Sequence, residues 1–316
     1  MRTLVTGGAG FIGSHLAQRL LADGHEVRVL DNFATGRREN VLVFANDVEL
    51  VEGDIQSYER VTKAVQGVEV VFHQAALPSV PRSIQDPLTS NATNVIGTLN
   101  ILLASRDADV RRVVSASSSS VYGANPALPK HEDMPTVPIS PYAVAKLAAE
   151  GYCRSFTEVF DLETVALRYF NVFGERQDPT SHYSAVIPKF ITALLSGHSP
   201  MINGDGEQSR DFTFVSNVVD ANLLAASSPT ASGAAINVAC GQRVSLNHLC
   251  EMIGELIPGG PSPEYGPARV GDVRHSLADI QRARDLLGYE PVVDFREGLR
   301  RSLAYYESIA PSLSDA

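Results

Sequence analysis

Short apolar runs rich in β-branched residues alternate with longer amphipathic stretches through the first half of the chain. The pattern predicts strands at residues 3–5, 27–30, 48–51, 68–72, 112–116 and 164–167, and helices at 11–22, 86–105 and 140–160. Apolar runs bounded by Gly or Asp and separated by helical periods are typical of parallel strands that are covered on both faces. The sequence therefore predicts an α/β fold built on a doubly wound parallel sheet.

The pattern changes beyond about residue 175, where proline and glycine interrupt residues 204–207 and 258–267. Helical periods recur in this part at residues 186–195, 246–257 and 295–306. We interpret it as a smaller mixed α/β domain. The expected domains are residues 1–175 and residues 176–316, with some crossing of the chain between the two.

Composition and charge narrow the class of protein. The net charge of −10 is dispersed along the 316 residues, so we expect no nucleic acid partner. No apolar stretch approaches the roughly 18 residues that cross a bilayer, and the first six residues run into a glycine cluster without room for a secretory signal. We therefore expect no membrane partner and a cytoplasmic location. Cys153, Cys240 and Cys250 lack C-x-x-C spacing and the histidines form no ligand pattern, so neither a disulfide framework nor a metal site is expected.

A glycine-rich turn occupies residues 7–13, between the first predicted strand and the first predicted helix. Its G-x-x-G-x-x-G spacing departs from G-x-G-x-x-G, but its position is where helix N-terminal amides hold a dinucleotide pyrophosphate. Asp31 ends the second strand, where a carboxylate binds ribose hydroxyls and repels a 2′-phosphate, so the sequence favours NAD over NADP and a Rossmann-type sheet. The basic pair Arg37 and Arg38 is the opposing signal, although such a pair on an exposed loop is usually solvated. The predicted dinucleotide contacts of this part are Gly7, Gly10, Phe11, Ile12, Gly13, Asp31, Asn32, Gly36, Asp54 and Ile55.

A second group of polar residues combines Tyr142, Lys146 and the serine run 117–120. On a helix, residues i and i+4 share a face, so the Lys146 ammonium lies beside the Tyr142 phenol and favours its ionised form. The serine run ends the fifth strand, at the edge where open α/β sheets bind ligands, so a hydroxyl of this run can bridge substrate and Tyr142. Without that context, a surface tyrosine beside a lysine and a polar turn would explain the same residues.

With these motifs placed, the sequence resembles the extended short-chain dehydrogenase/reductase superfamily and, within it, the UDP-sugar 4-epimerases. The resemblance covers nearly the whole chain and rests on residues 7–13, 73–76, 94–98, 117–123, 140–142, 168–174, 203–206, 209–212 and 269–274. It implies that Tyr142 is the catalytic base and acid, that Lys146 is its electrostatic partner, and that Ser118 is the hydroxyl partner, with Ser119 as the alternative. It further implies an NAD-binding Rossmann domain followed by a nucleotide-sugar-binding domain.

The resemblance also implies contacts to the cofactor and to the substrate. The further NAD contacts are Gln74, Ala75, Ala76, Asn94, Tyr142, Lys146, Tyr169 and Phe170. The substrate contacts are Ser79, Arg82, Ser118, Ser119, Ser120, Tyr142, Asn171, Ala185, Val186, Asn203, Arg210, Arg269, Asp272 and Ser276. Arg210 and Arg269 would neutralise the diphosphate, because the guanidinium donor fork matches phosphate oxygens.

The implied reaction inverts C4 of the sugar through a transient 4-keto intermediate. Tyr142 takes the O4 proton while the C4 hydride passes to NAD+, and the ketose turns over before the hydride returns to its other face. Related dehydratases and decarboxylases carry carboxylates where this chain has Ser119 and Ser120, so those activities are the less favoured alternatives. A non-catalytic NAD-binding regulator on the same fold is a further alternative, although it would not need Ser118, Tyr142 and Lys146.

Two positions bear on the C2 and C6 groups of the sugar. In the resembled epimerases a large aromatic residue at the position of Ser276 restricts the pocket to hexoses, so this small residue predicts acceptance of UDP-N-acetylglucosamine. A small loop residue without such a role is the alternative. Glucuronate-specific epimerases hold the C6 carboxylate with an arginine where this chain has Asp178, with Arg176 nearby. As substrates, UDP-glucuronic acid and the uronic acid of UDP-N-acetylglucosamine are therefore less favoured than UDP-N-acetylglucosamine and UDP-glucose.

A homodimer is also implied by the resemblance, which places helices 86–105 and 140–160 in an intersubunit four-helix bundle. The apolar residues expected to be available for that interface are Leu88, Val95, Leu99, Leu102, Leu147 and Tyr152.

Overall fold

The computed structural model describes residues 1–179, 185–268 and 273–313. Among these residues the strands are β1 Arg2–Thr6, β2 Glu26–Asp31, β3 Val48–Glu52, β4 Val70–His73, β5 Arg112–Ser118, β6 Glu163–Tyr169, β7 Val172–Phe173, β8 Met201–Asn203, β9 Ser209–Arg210, β10 Thr213–Phe214, β11 Ala235–Val238, β12 Val244–Ser245 and β13 Glu264–Gly266. The helices are α1 Phe11–Ala22, α2 Arg38–Leu42, α3 Tyr58–Val65, α4 Val80–Gln85, α5 Pro87–Asn91, α6 Gly97–Asp107, α7 Pro141–Phe160, α8 Val186–Leu195, α9 Val215–Ser227, α10 Leu246–Leu256, α11 Gln281–Leu287 and α12 Phe295–Leu313. A π-helical turn, Ala92–Ile96, joins α5 to α6, and a 3₁₀ turn, Ser119–Tyr122, follows β5.

Seven parallel strands form the main sheet, in the order β3-β2-β1-β4-β5-β6-β11. Side chains alternate between its faces, as strand geometry requires. Val5 and Phe72 pack with residues of α1 and α9 on one face. Leu4 and Val71 pack with residues of α3, α6 and α7 on the other. The predicted α/β fold with a Rossmann-type doubly wound sheet is therefore confirmed.

The helix predicted over residues 86–105 is divided in the structure. Asp86 caps α5 by accepting the Thr89 N–H at 3.0 Å, and the π turn then separates α5 from α6. Such turns insert an extra residue into a helix and occur frequently at functional sites. Asn94 lies in this turn and binds both the N–H and the C=O of Leu77, at 2.8 and 3.0 Å. The predicted helix is therefore present over this segment, with a π-helical turn within it.

The edge strand β11 comes from beyond residue 175, where the sequence analysis predicted no strand of this sheet. It pairs with β6 in parallel, from Ala235 beside Ala166 to Val238 beside Tyr169. Residues of α9 and α11 pack with this end of the sheet in the same apolar cluster. The chain therefore returns to the main sheet after β6, and both halves contribute to one core.

The smaller layer is built from α8, α10 and α12 with the short strands. An aromatic cluster lies at its centre, where the Phe173 ring is 5.6 Å from the Phe214 ring and 5.4 Å from the Phe295 ring, between centroids. This layer buries the apolar faces of the helices predicted at residues 186–195, 246–257 and 295–306. The two layers meet along the carboxyl edge of the main sheet.

Candidate active site

A cleft of about 740 Å³ lies at the carboxyl edge of the main sheet. Of the residues predicted from the sequence, it is lined by Gly7, Gly10, Phe11, Ile12, Gly13, Asp31, Asn32, Gly36, Asp54, Ile55, Gln74, Ala75, Ala76, Ser79, Arg82, Tyr142, Lys146, Tyr169 and Ala185. Residues that were not predicted as contacts also line it, among them Thr35, Thr93, Ser117, Gln177 and Asp178. One cavity therefore joins the glycine turn to the tyrosine and lysine pair, which agrees with the rule that open α/β sheets bind ligands at this edge.

The glycine turn is shaped by close approaches of the backbone. Gly7 has a φ of +68°, and a Cβ there would lie 2.7 Å from backbone atoms of Ala75. A Cβ on Gly13 would lie 2.1 Å from the Gly7 carbonyl oxygen. Gly10 is the N-cap of α1 and carries no capping side chain, so the first amides of the helix are left for an anion. The cradle fits the pyrophosphate of a dinucleotide.

Asp31 connects the glycine turn to the loop after β2. Its carboxylate accepts the Ala9 N–H at 2.9 Å and the Phe33 N–H at 2.8 Å. Burial raises the pKa of Asp31, and these backbone donors oppose that rise. Since the carboxylate also lines the cleft, it is placed to accept ribose hydroxyls and to repel a 2′-phosphate.

The basic pair after β2 is engaged by carboxylates. Arg37 lies 3.9 Å from Asp178, between nitrogen and oxygen. Arg38 donates to Glu52 at 2.8 Å, and its guanidinium carbon lies 4.0 Å from the centre of the Phe33 ring. Neither arginine is among the described residues that line the cleft. This placement agrees with NAD rather than NADP.

Helix α7 carries Tyr142 in its first turn and Lys146 one turn later. Ser140 caps the helix by accepting a first-turn N–H at 3.2 Å, and Pro141 follows, so the sequence starts the helix at this point. The Tyr142 N–H is too near the helix start to have a partner within α7, and it donates to Ser83 Oγ at 3.1 Å. These contacts hold the tyrosine at the mouth of the cleft.

Tyr142, Lys146 and Ser118 come together as predicted from the sequence. The Ser118 side chain lies near the Tyr142 hydroxyl, and Lys146 Nζ lies 6.0 Å from the centre of the Tyr142 ring. Burial raises the pKa of Tyr142, whereas the neighbouring Ser118 hydroxyl lowers it. Burial lowers the pKa of Lys146 to about 8. Because a positive charge favours the phenolate, the arrangement suits proton transfer to and from a bound hydroxyl.

The serines of the run 117–120 differ in their contacts. Ser117 lines the cleft and donates to Glu150 at 2.5 Å. Ser118, Ser119 and Ser120 are half-buried and are not among the described lining residues. Ser118 Oγ accepts the Ser120 N–H at 3.2 Å, and Ser120 Oγ has no hydrogen-bond partner in the described part of the chain. Ser118 therefore reaches the cleft through Tyr142.

Gln74 and Tyr169 form another part of the cleft wall. The Tyr169 hydroxyl donates to Gln74 Oε1 at 3.1 Å. Asn222, on α9, donates to the Tyr169 hydroxyl at 2.8 Å and accepts from Gln74 Nε2 at 3.0 Å. Sequence reasoning missed Asn222. The signal that could have identified it is a lone amide within an apolar helical period, because such a buried group needs a partner.

Two predicted cofactor contacts, Asn94 and Phe170, lie behind the cleft wall. Asn94 is 1% exposed and supports the backbone of Leu77. Phe170 is fully buried and packs near Tyr122, with 6.2 Å between ring centroids. Neither is among the described lining residues. The structure gives both a supporting position rather than a surface of the cleft.

The predicted substrate residues of the second half gather around β9. Arg210 Nη1 donates to the carbonyls of Ser209 and Arg274 at 2.9 and 3.2 Å. The Ser276 N–H donates to the Ser209 carbonyl at 3.0 Å, so Ser276 lies beside the same strand. Asn171 Nδ2 donates to a backbone carbonyl of the adjoining segment at 3.1 Å.

Other predicted substrate residues lie on neighbouring segments. Asn203 ends β8, Ala185 precedes α8 and lines the cleft, and Val186 begins α8. The prediction for Arg269 and Asp272 concerns positions outside the described residues.

Asp211 belongs to the motif at residues 209–212 but received no role from the sequence. It is fully buried, and its carboxylate accepts N–H groups of Cys240, Gly241 and Ala278, each at 3.1 Å. Burial raises its pKa to about 7. Through these hydrogen bonds, Asp211 connects its own segment, next to Arg210, with the segments of Cys240 and Ala278.

Arg176 and Asp178, which the resemblance relates to the C6 group, have different surroundings. Arg176 Nη2 donates to Gln18 Oε1 on α1, at 2.5 Å, and Arg176 is not among the described lining residues. Asp178 lines the cleft. Of these two residues, the one that faces the cleft is therefore Asp178.

Within the described ranges, no three or more His, Cys, Asp or Glu side chains are grouped as metal ligands. No helix of the described chain combines the length and the apolar character needed to span a membrane.

The fold and the site define a dinucleotide-dependent α/β enzyme of the short-chain dehydrogenase/reductase type. The model of the NAD dependent epimerase/dehydratase family matches residues 3–239, and the chain belongs to that family. NAD is its cofactor, as the glycine turn and Asp31 predicted. The resemblance of the sequence to UDP-sugar 4-epimerases is confirmed by the relatives that follow.

The chain is 42% identical over 312 residues to the UDP-glucose 4-epimerase of Mycolicibacterium smegmatis, covering 98% of this chain and 99% of that protein. A UDP-N-acetylglucosamine 4-epimerase from Methanobrevibacter ruminantium, solved with UDP-N-acetylmuramic acid, is 42% identical with a TM-score of 0.93, covering 97% and 98% of the two chains. A UDP-glucuronic acid 4-epimerase from Bacillus cereus, solved with UDP-glucuronic acid and NAD, is 31% identical with a TM-score of 0.91, covering 98% and 100%.

Proposed function

We propose that the protein is an NAD-dependent UDP-sugar 4-epimerase, an isomerase that acts through a transient 4-keto sugar. The observation that carries the proposal is the meeting of Tyr142, Ser118 and Lys146 at a cleft whose other end is the glycine turn. This arrangement places a proton-transfer group and a dinucleotide cradle in one cavity. A regulator that only binds NAD would not need the buried lysine beside the tyrosine.

The chain's own residues divide the work. Tyr142 takes the proton from the sugar O4 and later returns it, and Ser118 orients the Tyr142 hydroxyl. Lys146, charged below its pKa of about 8, stabilises the phenolate. When bound, NAD supplies the hydride chemistry at C4, with no net oxidation over a cycle. Residues beyond 175, with Arg210 at the diphosphate, supply most of the nucleotide-sugar contacts.

UDP-N-acetylglucosamine with UDP-N-acetylgalactosamine is the first candidate pair of sugars, and UDP-glucose with UDP-galactose is the second. Ser276 is small and lies beside β9, and the resemblance to the epimerases places it next to the C2 group, which favours an N-acetyl substituent. The 42% identical UDP-N-acetylglucosamine 4-epimerase supports this choice.

A UDP-uronic acid is the alternative substrate. Arg82 lines the cleft and is a cation that a C6 carboxylate would require. Asp178 lines the same cleft, however, with Arg37 3.9 Å from it, and Arg176 is directed to Gln18, so this segment presents a carboxylate rather than an arginine to the ligand. A dehydratase or decarboxylase is less favoured, because the resemblance places Ser119 and Ser120 where those enzymes carry carboxylates.

The function is tested by incubating purified protein separately with UDP-glucose, UDP-N-acetylglucosamine and UDP-glucuronic acid and resolving the products by NMR. We expect a C4 epimer from UDP-N-acetylglucosamine. Loss of water or carbon dioxide from any substrate would refute the epimerase, and inversion of UDP-glucuronic acid alone would refute the choice of sugar.

The role of Ser276 is tested with Ser276→Tyr, using Ser276→Ala as the matched control. Tyrosine should lower kcat/KM for UDP-N-acetylglucosamine by about tenfold or more while leaving UDP-glucose turnover near wild type, since one pocket group is worth about 1–3 kcal/mol. An unchanged ratio between the two substrates would show that Ser276 does not border the C2 group.

We also propose that the protein is a homodimer through α5, the π turn and α7. Leu88 is 82% exposed, Ile96 45%, Val144 53% and Tyr152 38%, which is unusual for large apolar side chains on the helices of a monomer. A Cβ on Gly151 would meet no atom within 4 Å, so α7 presents a shallow surface that another helix can approach. The exposed stripes have helical spacing on both segments.

Part of the interface predicted from the sequence is wrong. Val95 and Leu102 are 9% and 0% exposed and pack inside the chain's own core, so they are not available to a partner. Leu99 and Leu147 are half-buried. Light scattering of wild type, Leu88→Asp and the control Leu42→Asp on α2 tests the proposal. We expect twice the 33.9 kDa chain mass for wild type and the control, and a smaller mass for Leu88→Asp. A monomeric wild type at micromolar concentration would contradict it.

A further inference from the structure

Two consecutive residues near the end of β5 each form a hydrogen bond with one residue of α7. The Ala116 carbonyl accepts Lys146 Nζ at 2.8 Å. Ser117 Oγ donates to Glu150 Oε1 at 2.5 Å. The next residue, Ser118, lies near the Tyr142 hydroxyl. The strand end beside the catalytic pair is therefore held against the helix by two adjacent hydrogen bonds.

The three helix partners share one face. Tyr142, Lys146 and Glu150 are spaced at i, i+4 and i+8, which places them along one side of α7. The first two belong to the proposed proton-transfer group. Glu150 has no part in that chemistry, yet it is held by Ser117, the residue between Ala116 and Ser118.

A buried ion pair fixes the position of Glu150. Arg168 on β6 donates from Nε to Glu150 Oε1 at 2.9 Å and from Nη2 to Oε2 at 2.7 Å. Arg168 Nη1 also donates to the Tyr122 hydroxyl at 2.9 Å, and that hydroxyl donates to Asn237 at 2.7 Å. Both members of the pair are less than a tenth exposed. The desolvation cost of a buried ion pair can cancel its electrostatic attraction, so the pair need not stabilise the fold. Its clearer effect is to fix the position and the charge of the Glu150 carboxylate.

The charges that face this pair lie on several elements. Lys146 and Cys153 flank Glu150 on α7, Arg168 faces it from β6, and His73 lies near Lys146 on β4. Burial lowers the pKa of Lys146 to about 8, and the carboxylate of Glu150 acts in the opposite direction. Loss of that carboxylate would make Lys146 give up its proton at a lower pH.

We propose that Glu150 is a positioning residue for the catalytic pair, holding the end of β5 against α7 through Ser117 and placing its negative charge one helical turn from the Lys146 ammonium. Arg168 locks the carboxylate in the orientation that both tasks need. The inference rests on the proposed epimerase function.

The test compares wild type with Glu150→Gln, Glu150→Asp and the control Glu158→Gln, an exposed position of the same helix. For each variant, kcat is measured from pH 6.5 to pH 10, together with the melting temperature and the NAD released on denaturation. Glu150→Gln should lose about tenfold in kcat at pH 8. The alkaline limb of its profile of kcat against pH should shift to lower pH by about one unit. Its NAD content should stay at the wild-type level, and Glu158→Gln should match wild type throughout.

Glu150→Asp separates position from charge. It keeps the charge and the partner of Arg168 but withdraws the carboxylate from Ser117 by one methylene, so kcat should fall while the alkaline limb stays in place. This variant also decides the matter if Glu150→Gln fails to fold. A wild-type kcat for Glu150→Asp, or an unmoved alkaline limb for folded Glu150→Gln, would overturn the inference. A wild type that epimerises no UDP-sugar would instead refute the proposed function.

Discussion

Replacing Tyr142 with phenylalanine separates chemistry from structure at this site. The substitution deletes one hydroxyl and keeps the ring, and the neighbour that it affects is the Ser118 side chain, which lies near that hydroxyl. A single neutral hydrogen bond contributes about 1 kcal/mol to stability, so the free energy of unfolding should fall by no more than about 1–2 kcal/mol. The Tyr142 N–H still donates to Ser83, so α7 starts at the same point.

The effect on turnover should be far larger. A positioned proton acceptor contributes about 10²- to 10⁴-fold, which is roughly 2.7–5.5 kcal/mol of transition-state stabilisation. We therefore expect Tyr142→Phe to lose at least about a hundredfold in kcat, with nearly unchanged KM for the UDP-sugar and nearly unchanged NAD content.

The assay is NMR-detected interconversion of the UDP-sugar, with urea unfolding measured on the same samples. Tyr58→Phe is the matched control, because the Tyr58 hydroxyl also makes one hydrogen bond, to Asp107 at 3.0 Å, far from the cleft. A Tyr142→Phe protein that keeps more than about a tenth of the wild-type rate would refute the assignment of the base. Equal losses of turnover and stability would instead indicate a purely structural role.

Two further predictions concern the cofactor cradle and acid stability. Gly13→Ala should greatly reduce the NAD recovered from denatured protein, because its Cβ would lie 2.1 Å from the Gly7 carbonyl oxygen, whereas Gly254→Ala, where a Cβ meets no atom within 4 Å, should keep full NAD content. Recovery of NADP from wild type would contradict the cofactor. Burial lowers the pKa of His73 to about 3, so between pH 6.5 and pH 3 the unfolded chain binds a proton that the folded chain excludes, and stability should fall as the pH falls through this window. Urea unfolding should show a loss of about 2 kcal/mol from this residue between pH 7.5 and pH 5. The loss should disappear in folded His73→Gln but persist in a variant of the exposed His131, and an equal slope in both would rule out His73 as its source.

Local sequence determined the parts of this protein that depend on near neighbours. The strand and helix periods located β1 to β6 and α1, α7 and α8, because periods of 2 and 3.6 residues are set by backbone geometry and by the burial of one face. The tyrosine and lysine pair came from the same rule, since residues four apart on a helix are neighbours wherever the helix packs. The glycine turn could also be recognised from the sequence, because the glycines that define it lie within seven consecutive residues.

The tertiary structure decided what depends on distant partners. Asn94 and Phe170 belong to motifs typical of the family but are buried in the core. Val95 and Leu102 are likewise buried within the chain. Which face of an element is buried depends on the elements that pack against it, and the local sequence does not specify these. Strand β11 joins the sheet only because the second half of the chain returns to pair with β6. Glu150 shows the limit most clearly. Its spacing from Tyr142 and Lys146 was visible in the sequence, but its role depends on Ser117 and Arg168, which long-range strand pairing brings beside it.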